Sequence, residues 1–163
     1  LKLKLGYMSS DAVQSAQALL IQEQLKEVGV TVELAGGDGT AIANAMKDPD
    51  NEYDMYLGGY IMGIDPDTFS SLFENDGAYN YMHYSGYDTI DQLFEEGRSE
   101  LDESARKETY AKLQAAVQDT GAFYPIISNN KILVVNNRIQ GVEDAGLVPV
   151  YTFEDTSSLK IAE

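Results

Sequence analysis

LKLKLGYMSSDAVQSAQALLIQEQLKEVGVTVEL, residues Leu1 to Leu34, decides the fold class. Leu1, Leu3 and Leu5 alternate with Lys2 and Lys4, the period of a strand with one apolar and one basic face. Ser9-Ser10-Asp11 supplies a helix cap, and Gln14 stands three residues after Asp11 in the manner of a capping box. Val13, Ala16, Leu20, Ile21, Leu25 and Val28 keep helical spacing until Gly29 stops the helix. Val30, Val32 and Leu34 then alternate with Thr31 and Glu33 as a second strand. Strand, helix and strand in this order make a βαβ unit, expected to cross over right-handed, and the class is α/β. The chain opens directly in a strand without an initiator Met, which is expected of a piece of a larger protein.

Downstream, Gly36-Gly37-Asp38-Gly39 leads into a weaker helix from about Thr40 to Lys47. The loop has neither G-x-G-x-x-G nor a following Lys-Ser/Thr pair, so phosphate is not its expected ligand. Asp48, Asp50, Glu52 and Asp54 alternate as in a calcium loop, but Tyr53 and Gly59 occupy the positions where an EF-hand needs Gly and Glu. A solvated helix-to-strand connection is the better reading. Tyr53 to Tyr84, YDMYLGGYIMGIDPDTFSSLFENDGAYNYMHY, carries the functional interest. A strand through Met55 and Leu57 runs into Gly58-Gly59, where missing side chains let the backbone turn or something approach closely. Asp65-Pro66 reads as a capped turn into a short helix. Ligands of α/β domains sit at the carboxyl ends of strands, which is where this stretch begins.

Asp88 and Asp102 are placed to cap two amphipathic helices, one carrying Ile90, Leu93, Phe94, Gly97 and Leu101, the other Tyr110, Leu113, Ala116 and Val117 before Gly121. Phe123–Ile127 and Lys131–Val135 read as strands of a hairpin through Ser128-Asn129-Asn130. Asn136 to Glu163 is irregular, with short extended pieces at Tyr151–Phe153 and Leu159–Ile161.

The composition narrows the function classes. With 163 residues and an apolar fraction of 44%, the chain suffices for one globular domain. Its net charge of −16, from 27 acidic and 11 basic residues, argues against nucleic acid and against electrostatic docking on anionic lipid. No cysteine is present, which excludes disulfides and thiolate zinc sites, and no run approaches the ~18 apolar residues of a membrane span. His83 is the only histidine, so no multi-His metal site forms from this chain. No serine sits in a G-x-S-x-G elbow, and in so acidic a chain the Asp65/Asp67 pair carries no information about glycosidase chemistry. Neither catalytic residues nor cofactors nor metals are expected, and His83 is expected to hydrogen-bond structurally. Tyrosine is the enrichment, with 11 residues, seven of them Tyr53, Tyr56, Tyr60, Tyr79, Tyr81, Tyr84 and Tyr87. Tyrosine combines apolar area and a hydroxyl at low entropic cost, which suits recognition.

The order of features resembles the C-terminal lobe of family 5 extracellular solute-binding proteins, which serve oligopeptide, dipeptide and nickel ABC transporters. Ala18 to Leu34 is similar to that family's helix, "lk-iGi" turn and strand. Tyr53-Asp54, Gly59 and Asp65-Pro66 resemble "yD…g…DP", and Asn80, Tyr84-Ser85, Asp88 and Leu93 resemble "N…Ys…D.ll". Asp102, Arg106, Tyr110 and Gln114 look like "D…R…Y…q", Pro125-Ile126-Ile127 like "P.ipl", and Gly141-Val142 like the late "v.g". The resemblance implies a periplasmic-binding-protein-like (type II) lobe, a mixed β-sheet flanked by helices, with residues 1–163 as a single lobe of a larger two-lobed receptor that closes by a hinge. It implies an ABC importer's substrate-binding component that takes oligopeptides between lobes without chemistry. The alternatives are a receptor for nickel chelate, sugar or another small solute, or a peptide-signal receptor. The ligand-facing positions it implies are Asp38, Gly58, Gly59, Tyr60, Ile61, Met62 and Asp65. The implied partners are the ligand, the permease and the missing N-terminal lobe, in an extracellular or periplasmic, lipid-anchored protein. Met62 departs from the family, whose peptide binders carry there an Asp that pairs with the peptide amino terminus; Asp65 or the missing lobe is then expected to supply that anchor. The family's pocket tryptophans are also absent. A Met and glycines leave a roomier, softer wall, suited to a bulkier or less polar ligand.

Overall fold

Strand β1 (Lys2–Met8) lies between two parallel neighbours, β2 (Thr31–Gly37) and β3 (Met55–Tyr56). The computed structural model describes residues 1–61, 63–83, 88–130, 132–148 and 152–162. Among these the chain forms two compact units: Leu1–Tyr60 with residues 75–83, and residues 61–74 with those from Asp88 onward.

In the first unit, β1 and β2 are in register from Lys2 opposite Thr31 to Met8 opposite Gly37, and β3 adds Met55 opposite Leu5. Parallel strands need a crossover, and helix α1 (Ala12–Glu27) provides it. Asp11 caps α1 by accepting from the Val13 and Gln14 N–H groups, and Gly29 leaves it at φ +82°. The capping box is not closed: Gln14 Oε1 instead accepts from the Met8 N–H at 2.9 Å. Leu5, Ala18, Val32 and Leu57 form the core, with Ile21 and Leu25 of α1 packed against it. The inward face of α1 is therefore Gln14, Ala18, Ile21 and Leu25, whereas Val13 and Leu20 lie outward, 53% and 58% exposed. Ala18, fully buried, lets the helix approach the sheet, and Gln22 Nε2 donates to the Val32 carbonyl at 2.7 Å. Backbone groups at the ends of the strands are thus satisfied from the helix by Gln14 and Gln22, while Ile21 and Leu25 supply its apolar contact with the core.

On the basic face of β1, Lys2 is exposed but Lys4 is held. Lys4 Nζ meets Glu52 at 2.7 Å and Glu33 at 3.8 Å and lies over the Tyr53 ring, and the Lys4 N–H donates to Asp54. The hydrogen bond to Glu52, with both carboxylates nearby, raises the Lys4 pKa. Two members of the alternating acidic run, Glu52 and Asp54, are thus tied to Lys4. Helix α2 (Gly39–Ala45) begins at the Asp38 cap and buries Ile42.

In the second unit, Asp65 caps a 3-10 turn at Pro66–Phe69, which continues into α3 (Ser70–Phe73) as the Asp-Pro signal predicts. Helices α4 (Asp88–Ser99) and α5 (Glu103–Asp119, capped by Asp102) pack on each other, burying Ile90, Phe94, Gly97, Thr109, Tyr110 and Leu113. Asp88 is the first helical residue and not the cap. Leu101, expected on the buried face, is 98% exposed because α4 ends before it. Phe94 and Tyr110 meet edge to face at 6.5 Å. Arg106 ties the unit together: its Nε donates to the Gly97 carbonyl, and its Nη2 reaches both Asp65 oxygens at 2.9 and 3.0 Å. Arg98 bridges Asp67 and Glu74 in the same way.

The expected hairpin at 123–135 does not form among the described residues; Lys131 lies outside them. Tyr124, Ile132 and Val134 are 85%, 84% and 90% exposed while Leu133 and Val135 are only half-buried, and an isolated two-stranded hairpin is marginal in water. The short extended pieces do pair: β4 (Ile139–Gln140) with β7 (Lys160–Ile161), and β5 (Leu147–Val148) with β6 (Thr152–Phe153), both antiparallel. Tyr151 lies outside the described residues. No helix among them is long and apolar enough to cross a membrane.

Two measurements check this packing in the full-length protein. A Cβ at Gly97 would stand 2.8 Å from the Tyr110 ring, so Gly97→Leu should destabilise by about 2 kcal/mol in urea unfolding. An unchanged midpoint would mean that the α4–α5 contact is not tight. The Asp65 carboxyl is held below its ordinary value, first by the Asp67 N–H and then by Arg106. A depressed carboxylate contributes stability above the unfolded pKa of about 3.9 that is lost as pH falls through the folded value. Asp65→Asn, which keeps a capping side chain, should therefore cost under about 1 kcal/mol at neutral pH, given how exposed the pair is, and nothing once the wild-type carboxyl is protonated. A cost that persists unchanged into acid would rule out the charge as its source.

Candidate ligand-binding site

The strand order β2-β1-β3, all parallel, sends the first crossover to one side of β1 and the second to the other. Such a reversal opens a crevice outside the carboxyl ends of the strands, the place where open α/β sheets bind ligands. Here the carboxyl ends in question are Tyr7-Met8 on β1 and, beyond β3, Leu57-Gly58-Gly59. Leu57 is buried and anchors its end, its N–H donating to the Gly6 carbonyl at 2.9 Å. Past that bond the backbone leaves the sheet. No described residue hydrogen-bonds the backbone of Gly58 or Gly59, and a Cβ on either would meet none of the described residues within 4 Å.

Tyr60 follows, 38% exposed, and meets the edge of Tyr79 at 6.5 Å; Tyr79 in turn meets Tyr81 at 6.0 Å. Both partners come from the returning segment 75–83. Asn80 is buried there, its N–H donating to the Gly77 carbonyl. His83, at φ 49°, brings Nε2 within 2.7 Å of the Met46 carbonyl, so that nitrogen carries the proton and the ring fastens the segment to the end of α2. This is the structural role expected of the histidine. Burial raises the Tyr56 pKa, with the neighbouring Tyr81 a smaller cause. Beside Tyr81, a cavity of about 470 Å³ is lined by Lys47, Pro49, Asn75, Asp76, Gly77, Ala78, Asn80 and His83.

Of the candidate residues, Gly58, Gly59 and Tyr60 thus stand together at the carboxyl end of β3. Asp38 lies in the same unit, but its Oδ1 accepts from the Thr40 and Ala41 N–H groups as the α2 cap. Ile61, 75% exposed, and Asp65, engaged by Arg106, belong to the second unit. Met62 lies outside the described residues. Tyr79 and Tyr81 were legible only as members of a tyrosine cluster, and Lys47 carried no signal; their neighbours come from distant segments. No group of three or more His, Asp or Glu placed to hold a metal ion occurs among the described residues.

No protein-family model matches the chain. It is 38% identical to the ABC transporter substrate-binding protein CtaP of Listeria monocytogenes, whose crystal structure superposes with a TM-score of 0.87, covering 100% of this chain and 33% of that one. It is 26% identical over 130 residues to the peptide transport periplasmic protein SapA of Haemophilus influenzae, covering 77% of this chain and 23% of SapA. It is 23% identical over 126 residues to the oligopeptide-binding protein AppA of Bacillus subtilis, covering 74% of this chain and 22% of AppA. The chain spans about a third of the length of CtaP and under a quarter of the two curated relatives. The resemblance read from the sequence is borne out: the homologues and structural neighbours of this chain are family 5 substrate-binding proteins of ABC transporters, with a periplasmic-binding-protein-like fold.

Proposed function

We propose that this chain is one lobe of the substrate-binding component of an ABC importer, and that the whole protein holds oligopeptides between this lobe and its N-terminal counterpart without altering them. The observation that carries the reading is the parallel strand order β2-β1-β3, which reverses direction at β1 and runs on past β3 into two glycines whose backbone groups bond to no described residue. Strand-like pairing with main-chain groups gives affinity for a peptide while leaving its side chains unread. The names of SapA and of the Bacillus subtilis AppA point to the same ligand class. Ile61, Met62 and Asp65 continue the ligand-facing segment in this proposal, and Asp38 contributes by holding the start of α2. Asp65 is a poor anchor for a peptide amino group while Arg106 engages it, so the anchor belongs to the N-terminal lobe. The protein works outside the cytoplasmic membrane, held there by a lipid on the full-length chain, and delivers its ligand to a permease.

Native mass spectrometry of the full-length protein, purified without denaturation, tests this reading. A ladder of masses matching peptides is expected; one discrete non-peptide mass, or a nickel-containing adduct, would overturn it. In the same protein Gly59→Trp should fill the space beside the crevice and weaken peptide binding at least about tenfold, by about 1.4 kcal/mol or more, with the fold intact. Unchanged affinity would remove Gly59 from the site.

A further inference from the structure

Of the proposed ligand-facing positions, Ile61 and Asp65 belong to the second unit, with Gly63 and Ile64 between them. This stretch is held little by its own contacts. Ile61 and Ile64 are 75% and 86% exposed, and no described residue hydrogen-bonds the backbone of Ile61, Gly63 or Ile64. The turn that follows is what holds it. A Cβ on Gly63 would stand 2.6 Å from Thr68 Cγ2, so the backbone there lies against Thr68. Thr68 donates to the Asp65 carbonyl from its N–H at 3.1 Å and from its hydroxyl at 2.9 Å. The Asp65 carboxylate accepts from the Asp67 N–H inside the turn and from Arg106 Nη2 outside it. Arg106 is itself fixed: Nε donates to the Gly97 carbonyl at 2.8 Å, and its guanidinium lies 4.9 Å from the centre of the Tyr110 ring.

We infer that Arg106 is a positioning residue for ligand binding: through Asp65 and Thr68 it fixes the segment 61–65 in place before the ligand arrives. The inference rests on the peptide reading above and adds a residue outside the positions assigned there to the ligand. A segment that its ligand must order takes the ordering entropy out of the binding free energy. A segment already held does not, and affinity falls in proportion to the fraction of molecules in which it is held. An exposed ion pair contributes little to global stability. The consequence of this one is therefore read in affinity more than in the unfolding midpoint.

The test is a double-mutant cycle on affinity in the full-length protein. Native mass spectrometry of wild type with a randomised pentapeptide library selects the most strongly retained peptide, which then serves as the calorimetric probe. Arg106→Gln removes the cation that reaches Asp65. Asp65→Ser keeps a capping hydroxyl but is too short to meet Arg106. Each should weaken binding of the probe about fivefold, at a temperature where both variants are fully folded. The double variant should bind no more weakly than the weaker single one, since the two residues act in one chain of contacts. Arg106→Lys, which keeps a cation, should recover part of the loss. Unchanged affinity in folded Arg106→Gln would make Arg106 a structural residue only and overturn the inference, with the peptide reading standing. Losses that multiply in the double variant would also overturn it, because Arg106 would then act by a route other than Asp65. If wild type retains no peptide of the library, the peptide reading fails and the positioning role falls with it.

Discussion

The first unit depends on β1 being paired on both edges. β2 matches it over seven residues on one edge, and β3 pairs with Leu5 and Gly6 on the other. One slip of register would turn Leu5 out of the core and Lys4 away from Glu33 and Glu52. Because α1 must return the chain to the same end of the sheet, its start is set by β1 and its stop by β2. The reversal on reaching β3 then opens the crevice at one defined place. Position of the site is a consequence of connectivity before it is a matter of particular side chains.

The charges follow a second economy. In a chain with 27 acidic and 11 basic residues, three cations are placed where connections need holding. Lys4 gathers the segment before β3, Arg98 joins Asp67 to Glu74, and Arg106 joins the Asp65 turn to α4 and α5. Exposed pairs of this kind contribute little individually. Their effect here is geometric, since each bridges segments far apart in sequence. Asp65, Gly97, Asp102, Arg106 and Tyr110 are so placed that the "DP" and "D…R…Y" features of the resemblance have a structural meaning: one cap, one guanidinium and one ring lock a turn against two helices.

Where the sequence misled, periodicity and packing disagreed. Val13, Ala16 and Leu20 have the spacing of a buried face, yet the sheet takes the face of Gln14, Ala18, Ile21 and Leu25, which combines close approach at Ala18, aliphatic contact and a glutamine bonded to a strand N–H. Phe123–Ile127 has the composition of a strand, but composition supplies no partner. Tyr79 and Tyr81 could be recognised as members of a recognition cluster and not as neighbours of Tyr60. The segment that carries them returns to the first unit only after the turn at Asp65, and no local pattern encodes that return.

By itself the sequence determined the βαβαβ order, the caps at Asp11, Asp65 and Asp102, the family resemblance and the glycines after β3. Each of these rests on forces that act over a few residues: alternation, helical period, capping hydrogen bonds and the freedom of glycine. Only the tertiary structure decided which face of α1 is buried, that Arg106 engages Asp65, and that Tyr79 stands beside Tyr60. Those outcomes depend on contacts between segments tens of residues apart, where burial and backbone hydrogen bonding choose among alternatives that local sequence leaves nearly equal.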